Sequence, residues 1–459
     1  MNALEFPRLR TAMVSMNVLA VAAFAAPGLA YAQTAPAPDS LEAAMAKIDA
    51  LTQRLAAMEA KLGQGGDTPV RVVDTTKPDP DAVKVTLKPG PSFATADGKR
   101  TFAIDGRAMV DAGWVVEDGA ADLGDDTDIR HLWLGFSGKF GGEWRYKVQT
   151  SIDNNSVGVK DAYIAYDGFK NAPIMIGNFY ENNGIEIMSG NLNTTFMESG
   201  SGISAFRTLR HLGVTVDPYG DNWGAQIGLF GDGVADPAVA GNDEGWSFAS
   251  RFTFAPIMSK EMLLHLGGSW RYRTPDSPGE QVRFRSAGES HVIGETLVDT
   301  GNINSVDNYT TSALEAMYRL GGVTVMGEYN VTDLSREIGA EPSFDGGYVS
   351  VGWMLTGESR EYNAKRGLLG RLKPGAPFVM GGPGLGAWEL AARFNTLDLT
   401  DETVAGGEMD SVTLGVNWYP NQFARLMLNY VRNDLDSTGP IAFRNTDPEY
   451  LMVRVQADF

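Results

Sequence analysis

The last nine residues of the chain read Leu451-Met452-Val453-Arg454-Val455-Gln456-Ala457-Asp458-Phe459. Side chains at odd positions are apolar, whereas three of the four at even positions are polar. Successive side chains of a β-strand point to opposite faces of its sheet. This alternation therefore predicts a strand with one apolar face and one mostly polar face.

The same two-residue period recurs from about residue 92 onward. Sixteen candidate strands start near residues 101, 128, 143, 159, 173, 208, 222, 245, 262, 309, 322, 345, 384, 410, 423 and 449. Short turns follow the even-numbered strands, and long loops such as residues 180–207 and 274–308 follow odd-numbered ones. The long connection at 357–383 is an exception, because it falls on the short-turn side. An even number of antiparallel strands with this loop pattern predicts an all-β transmembrane barrel of 16 antiparallel strands over residues 92–459.

Composition narrows the classes of function. No segment after residue 32 is apolar over the roughly 20 residues that a helical span needs, so a membrane protein of this sequence crosses with strands. The formal net charge of -19 disfavours a nucleic-acid partner. The sequence has no cysteine, which excludes disulfides and thiolate zinc sites.

The first 91 residues divide into three predicted segments. Residues 1–32 resemble a cleavable secretory signal, with Arg8 and Arg10 before an apolar core and a cleavage site at Ala30-Tyr31-Ala32. Residues 33–62 carry an apolar heptad pattern that predicts a short periplasmic coiled-coil helix, preceding the barrel. The heptads favour association of copies, and a helix packed on its own domain is the alternative. Residues 63–91 are rich in Pro, Gly, Asp and Thr and predict a linker.

Several short stretches, in their shared order, resemble the phosphate- and polyphosphate-selective porins of the bacterial outer membrane, the porin O and P type. The stretches include Asp105-Gly106-Arg107, Trp144-Arg145-Tyr146-Lys147, Asp161-Ala162-Tyr163-Ile164, Thr194-Thr195-Phe196-Met197-Glu198, Arg283-Phe284-Arg285, Gly386-Ala387-Trp388-Glu389-Leu390 and Thr413-Leu414-Gly415-Val416-Asn417-Trp418-Tyr419.

This resemblance implies a homotrimer of sixteen-stranded barrels in the outer membrane of a Gram-negative bacterium, in contact with lipid and lipopolysaccharide. It also implies that the loop at 180–207 narrows the lumen. The expected function is passive diffusion of small hydrophilic solutes and ions, with phosphate and other small anionic or neutral solutes as candidates. A structural tether or an adhesin-like barrel with little conduction is the alternative.

Basic side chains on the polar parity of the strands, or in the long loops, are the candidates for the channel lining. They are Arg107, Arg145, Lys147, Arg251, Arg271, Arg273, Arg283, Arg285, Arg393 and Arg425. Five more cations lie in the exceptional connection: Arg360, Lys365, Arg366, Arg371 and Lys373. Cationic donors in a pore favour anions. Two alternatives stay open, since wall carboxylates can hold these arginines or they can lie in the lipopolysaccharide zone.

The constriction loop has a different charge pattern. Its candidates are Glu181, Glu186, Glu198 and Arg207, so carboxylates outnumber cations. Fixed charge at the narrowest point dominates permeation. The sequence therefore predicts a weakly selective pore without a tight phosphate site. The sequence does not decide on which face Arg130 lies. Parity places Arg130 with Leu132 on the apolar face, whereas the resemblance favours a basic pore residue there.

Catalysis and cofactor binding find little support in the sequence. The histidines His131, His211, His265 and His291 are isolated, and none belongs to a metalloprotease or serine hydrolase motif. A divalent cation at Asp125-Asp126-Thr127-Asp128 is conceivable, but a solvated loop or a bridge to lipopolysaccharide fits better. We expect no enzyme activity, no catalytic residue, no cofactor and no metal centre.

Overall fold

The computed structural model describes Gln53 and residues 82–459, apart from gaps at 88–89, 118–122, 154–155, 235–242, 278–279 and 437–445. The chain divides into two units, Met1–Lys77 and Pro78–Phe459. Apart from Gln53, the predicted signal, the coiled-coil helix and most of the linker lie outside the described residues. The end of the predicted linker differs from expectation, because Val83–Thr86 forms a short strand.

A closed antiparallel barrel of sixteen wall strands is built by the described residues, as predicted. The wall strands are β3 (Thr101–Glu117), β4 (Asp126–Phe140), β5 (Trp144–Ser151), β6 (Gly158–Tyr166), β7 (Ile174–Tyr180), β8 (Arg210–Val216), β9 (Trp223–Phe230), β10 (Trp246–Met258), β11 (Met262–Thr274), β14 (Val306–Leu320), β15 (Val323–Arg336), β16 (Ser343–Met354), β19 (Ala387–Asp401), β20 (Val404–Asn421), β21 (Ala424–Leu435) and β22 (Glu449–Asp458). Each pairs with the next, and β22 pairs with β3 to close the wall.

Most predicted strand starts lie within three residues of the observed ones. Strand β20 is different, since it begins at Val404 rather than near residue 410. Gly406 and Gly407 are the third and fourth residues of this strand. Glycine has no side chain, so the two-residue period is invisible there.

Apolar side chains cover the outside of the barrel. Leu314 is 72% exposed and Val349 is 61% exposed, whereas inward-facing Arg393 and Thr413 are buried. A soluble protein hides its apolar side chains, and this barrel presents them outward. Lipid surrounds such a wall in place of water. No helix among the described residues is long and apolar enough to cross a bilayer.

Three long connections carry the remaining elements. Residues 181–209, the constriction loop, contain helices α1 (Ile185–Ser189) and α2 (Ser201–Ser204). Residues 275–305 contain β12 (Arg285–Ser286) and β13 (Val298–Asp299). Residues 355–386, the inserted turn, contain β17 (Tyr362–Asn363) and β18 (Leu368–Leu369). A hairpin of β1 (Val83–Thr86) and β2 (Ser92–Thr95) extends the sheet beside β3.

The constriction loop crosses the lumen and lies directly on the opposite wall. A Cβ atom added at Gly202 of α2 would come within 2.2 Å of the backbone nitrogen of Gly347. Only glycine permits so close an approach. Helix α2 therefore packs backbone to backbone against β16.

An apolar core fills the lumen on one side at the long-loop end. Phe284, Leu297 and Val298 of the 275–305 loop belong to one buried cluster with Val431 and Tyr450 of the wall. Dense packing of this kind leaves no room for water. Any open path must therefore run along another part of the wall.

Two β-bulges break the alternation on the wall strands β4 and β6. Met109 pairs with His131 and Val110 with Ile129, so Arg130 is an extra residue in β4. Val148 pairs with Ala162 and Thr150 with Val159, so two residues of β6 face Gln149 alone. A bulge changes the direction in which the side chains of its strand point. Arg130 Nε donates to Glu198 of the constriction loop, so the Arg130 side chain points into the lumen. The sequence had left this direction undecided.

Candidate functional site

A cavity of about 740 Å³ lies at the short-turn end of the barrel. Strands β3 to β9, the end of α1 and the inserted turn enclose it. Seven cations and three carboxylates line this cavity, an excess of four positive charges. They are Arg107, Arg145, Lys147, Lys170, Arg210, Lys365 and Arg366, with Asp161, Asp167 and Asp217.

Ion pairs neutralise part of this charge. Asp161 accepts from Lys147 Nζ at 2.9 Å and from Arg210 Nε at 2.7 Å. Asp167 accepts from Arg145 Nε at 2.9 Å. Burial raises the pKa of Asp217, although Arg366 acts in the opposite direction.

The other cations have no carboxylate partner among the described residues. Arg107, Lys170, Lys365 and Arg366 form no ion pair there, and all four line the cavity. Cations without an ion-pair partner project more of their field than paired ones, and low-dielectric walls focus this field into the water-filled space. The cavity thus differs in sign from the chain as a whole, whose formal net charge is -19.

Aromatic rings accompany these cations. The guanidinium carbon of Arg107 lies 4.5 Å from the centroid of the Trp133 ring. Arg210 lies 4.0 Å from the ring of Tyr180 and 5.3 Å from that of Trp133. Lys365 Nζ lies 4.4 Å from the ring of Tyr219. Cation–π attraction holds these charges in place without neutralising them.

Glu181 fixes the start of the constriction loop to the wall. Its carboxylate accepts from Arg271 and lies 2.6 Å from His211 Nδ1 and 2.7 Å from Ser247 Oγ. Burial would raise the pKa of Glu181, but Arg271 and His211 outweigh it and hold this pKa at about 2. The residue is a buried anchor and no free charge in the pore.

Glu186 and Glu198 fix the middle of the loop. Glu186 accepts from Arg393 Nη1 at 2.7 Å, and burial raises its pKa although Arg393 opposes the shift. Glu198 lies 2.8 Å from Arg130 Nε and 2.6 Å from Arg454 Nη2. Burial acts against ionisation of Glu198 as well, but Arg130 and Arg454 together hold its pKa well below the usual range.

These contacts mean that the carboxylates of the constriction loop do not support the predicted weakly selective pore. Of the three carboxylates that were expected to dominate the constriction, Glu181 and Glu186 are buried and Glu198 is partly buried, and each one has an arginine partner. A paired buried charge contributes little field outside its pair. Arg207, the fourth loop candidate, is exposed.

The ten basic candidates separate into three groups. Arg107, Arg145 and Lys147 line the cavity. Arg283 and Arg285 lie exposed in the 275–305 loop, where Arg283 Nε donates to Asp299 at 2.8 Å. Five others are buried away from the cavity lining: Arg251, Arg271, Arg273, Arg393 and Arg425.

The five buried arginines serve the packing of loops. Arg271, Arg273 and Arg393 pair with Glu181, Asp232 and Glu186 respectively. Arg425 Nη1 donates to the carbonyl of Thr194 at 2.6 Å. Sequence parity predicted that these side chains point inward, and in the structure loops that return to the lumen occupy that space.

The inserted turn is held by the same type of contact. Arg251 pairs with Glu315 at 2.5 Å and donates to the carbonyl oxygens of Arg366 at 2.8 Å and Gly367 at 3.0 Å. Arg319 Nη1 donates to the carbonyl of Arg360 at 3.0 Å. The backbone of the turn is thereby fixed inside the barrel, and the side chains of Lys365 and Arg366 line the cavity.

Sequence reasoning missed Trp133, Lys170 and Arg210. Arg210 has the same parity as Leu212, which is exposed on the outer wall, so strict alternation would place Arg210 on the outer face as well. Pairing of β6 with β7 stops at Ala162–Asn178, whereas β7 and β8 pair as far as Tyr180–Arg210. Beyond the last β6–β7 pair, Arg210 Nε donates to Asp161 of β6, which draws its side chain to the cavity. No sequence signal could have identified Arg210.

Histidines take part in local polar contacts. His265 lies 2.6 Å from the hydroxyl of Tyr362 and 2.9 Å from Glu315, and His291 lies 2.8 Å from Asp128. Within the described part of the chain, no group of three or more His, Asp or Glu side chains could hold a metal ion.

Comparisons with known proteins agree with this architecture. The family model of phosphate-selective porins O and P matches residues 102–459. An uncharacterized protein of Caulobacter vibrioides is 29% identical over 98% of this chain and 96% of its own length. Porin O of Pseudomonas aeruginosa is 22% identical over 77% of this chain and 87% of its own length.

Solved structures share the fold. An anion-selective porin from Comamonas acidovorans has a TM-score of 0.52 at 12% identity, covering 78% of this chain and all of its own. OmpT of Vibrio cholerae, in its trimer form, has a TM-score of 0.51 at 12% identity, with 78% of this chain and 99% of its own covered.

Proposed function

Because this chain belongs to the phosphate-selective porin O and P family of outer-membrane diffusion channels, we propose that it conducts small anions in preference to cations. The main observation that supports this proposal is the excess of four positive charges around the cavity. The family and the cavity are independent supports. One comes from the sequence as a whole and the other from the placement of individual side chains.

The direction of selectivity follows from which charges are free. Carboxylates of the constriction loop are neutralised by wall arginines, whereas Arg107, Lys170, Lys365 and Arg366 stand without a carboxylate partner among the described residues. At physiological salt the Debye length is about 8 Å. Charges that border the permeation space therefore outweigh acidic groups on distant loops.

A homotrimer is part of the proposal. The trimer form of Vibrio cholerae OmpT shares the fold, and the heptads at 33–62 favour association of copies. In this arrangement residues 1–32 are the cleaved signal, residues 33–62 form a periplasmic helix and residues 63–91 link it to the barrel. Contacts with lipid and lipopolysaccharide follow from the apolar outer wall.

We assign no catalytic role to the chain. The histidines His211, His265 and His291 lie beside buried or half-buried carboxylates at the wall and loops. A porin needs no general base, and the family and fold are known as non-enzymatic channels. A pure tether is the competing function, and it would show no conductance.

Planar-bilayer recording under a KCl gradient tests this proposal. We expect a zero-current potential of the sign that chloride permeation produces. Replacing Lys365→Glu together with Arg366→Glu removes the charge excess, because two cations become two carboxylates, and should abolish most of the selectivity.

Lys99→Glu is the matched control. Lys99 is an exposed lysine in the short turn between β2 and β3, and it does not line the cavity. Its replacement should leave the potential nearly unchanged. A cation-selective or electrically silent wild-type protein would refute the proposed function.

A further inference from the structure

The cavity combines two chemistries that inorganic anions do not both use. Four aromatic side chains, Trp133, Tyr163, Tyr180 and Tyr219, have a cation above or beside their rings. Phe169 also lines the cavity and is 54% exposed. Phosphate needs charged donors and water, and it gains nothing from an apolar surface.

Aromatic carboxylates use both features. The carboxylate requires a cation without a competing partner, and the ring gains from removal of its apolar surface from water and from contact with other rings. Arg107 beside Trp133 and Lys365 beside Tyr219 supply such pairs, since neither cation forms an ion pair among the described residues. Arg210 beside Tyr180 is less available, because it already binds Asp161.

The rings of the cavity rim belong to neighbouring turns. Tyr219 N donates to the carbonyl of Asn171 at 2.9 Å, which ties the turn of Tyr219 to the turn of Phe169. Lys365 approaches the same place from the inserted turn. The volume of about 740 Å³ falls in the range of roughly 300 to 1,000 Å³ that is usual for pockets of small organic ligands.

We propose that this cavity is an affinity site for small aromatic monoanions of the benzoate type, with the Lys365–Tyr219 pair at its rim. This inference rests on the proposed anion selectivity and deepens it, since it names the class of solute. Permeation through such a site remains passive. The site concentrates its solute at the short-turn mouth and slows the passage of other ions.

Current block in planar bilayers tests the inference. Benzoate, acetate, cyclohexanecarboxylate and inorganic phosphate are added in turn to single channels in KCl, from each side. We expect benzoate to block at a concentration roughly two to ten times lower than cyclohexanecarboxylate, which is the size of an aromatic contact, and lower still than acetate, which also lacks the apolar ring surface. Phosphate should block no more strongly than acetate.

Tyr219→Leu locates the site, because it keeps an apolar side chain and removes the ring. The variant should lose the advantage of benzoate over cyclohexanecarboxylate. Phe140→Leu is the matched control, since Phe140 is an exposed aromatic residue at the same end of the barrel that does not line the cavity.

The outcomes separate the two proposals. Anion selectivity with equal block by benzoate and acetate overturns the aromatic site and leaves the proposed function standing. Stronger block by phosphate than by benzoate does the same. Benzoate block that is unchanged in Tyr219→Leu overturns the assigned place. Absence of anion selectivity in the wild type overturns the proposed function itself.

Discussion

At the scale of single residues, Arg454 joins parts of the chain that are far apart in sequence. Its Nε and Nη2 donate to Asp111 at 2.7 and 2.6 Å, and Nη2 also reaches Glu198 at 2.6 Å. The side chain is fully buried. It connects the first and last wall strands to the constriction loop, so both barrel closure and loop position depend on one guanidinium.

Arg454→Met should destabilise the folded barrel by about 3–5 kcal/mol, because Asp111 is left buried without its cation. Urea unfolding followed by tryptophan fluorescence measures the change. Arg432→Met is the control, since Arg432 is exposed on the outer face, and its effect should stay within about 0.5 kcal/mol. Adding Asp111→Asn to Arg454→Met should recover part of the loss, since a neutral amide is less costly to bury than a charge. A loss no greater than that of the control would contradict this role.

At the scale of elements, the constriction loop depends on ion pairs more than on its own secondary structure. Helices α1 and α2 have five and four residues, too few to be stable by themselves. Glu181, Glu186 and Glu198 attach the loop to arginines of four wall strands. Loss of ionisation at Glu181 and Glu198, whose pKa values are lowered in the folded protein, should loosen the loop while the wall persists.

Acid should therefore increase hydrogen exchange in residues 181–209. The folded pKa of Glu181 is about 2 against an ordinary 4.5, so its stabilisation is complete above pH 4.5 and disappears as the pH falls toward 2. Exchange mass spectrometry across that interval measures the effect, with peptides of β20 as the internal reference. Glu181→Gln should exchange faster at neutral pH and show a weaker pH dependence. Identical pH profiles for Glu181→Gln and wild type would exclude this anchor.

At the scale of the whole molecule, the barrel and the N-terminal segment should act independently. The sixteen wall strands run from Thr101 to Asp458 and close through β22 and β3, so wall pairing uses no residue of the segment 40–62. Deleting residues 40–62 should therefore leave insertion into outer membranes intact. Protease protection of the barrel in isolated membranes measures insertion, and failure of the deleted protein to insert would disprove this independence.

The assembly prediction belongs to the same scale. Unheated protein in detergent should have the mass of a trimer by light scattering and should convert to monomer on heating. A monomeric mass before heating would contradict the homotrimer. The deletion of residues 40–62 then tells whether the heptads contribute, since a trimer that dissociates at lower temperature would assign them part of the stability.

The barrel could be predicted from the sequence, because alternation has a period of two residues and needs no knowledge of distant contacts. Most strand starts and the short turns could also be predicted in this way. Which cations lack an ion-pair partner could not be predicted from the sequence, because ion pairing depends on contacts between distant residues. Arg454 and Asp111 are 343 positions apart, and no local pattern links them. The bulge at Arg130 and the inserted turn that presents Lys365 and Arg366 likewise depend on strand register and on loops returning to the lumen. Fold followed from a local period, whereas the charge of the pore followed from long-range pairing.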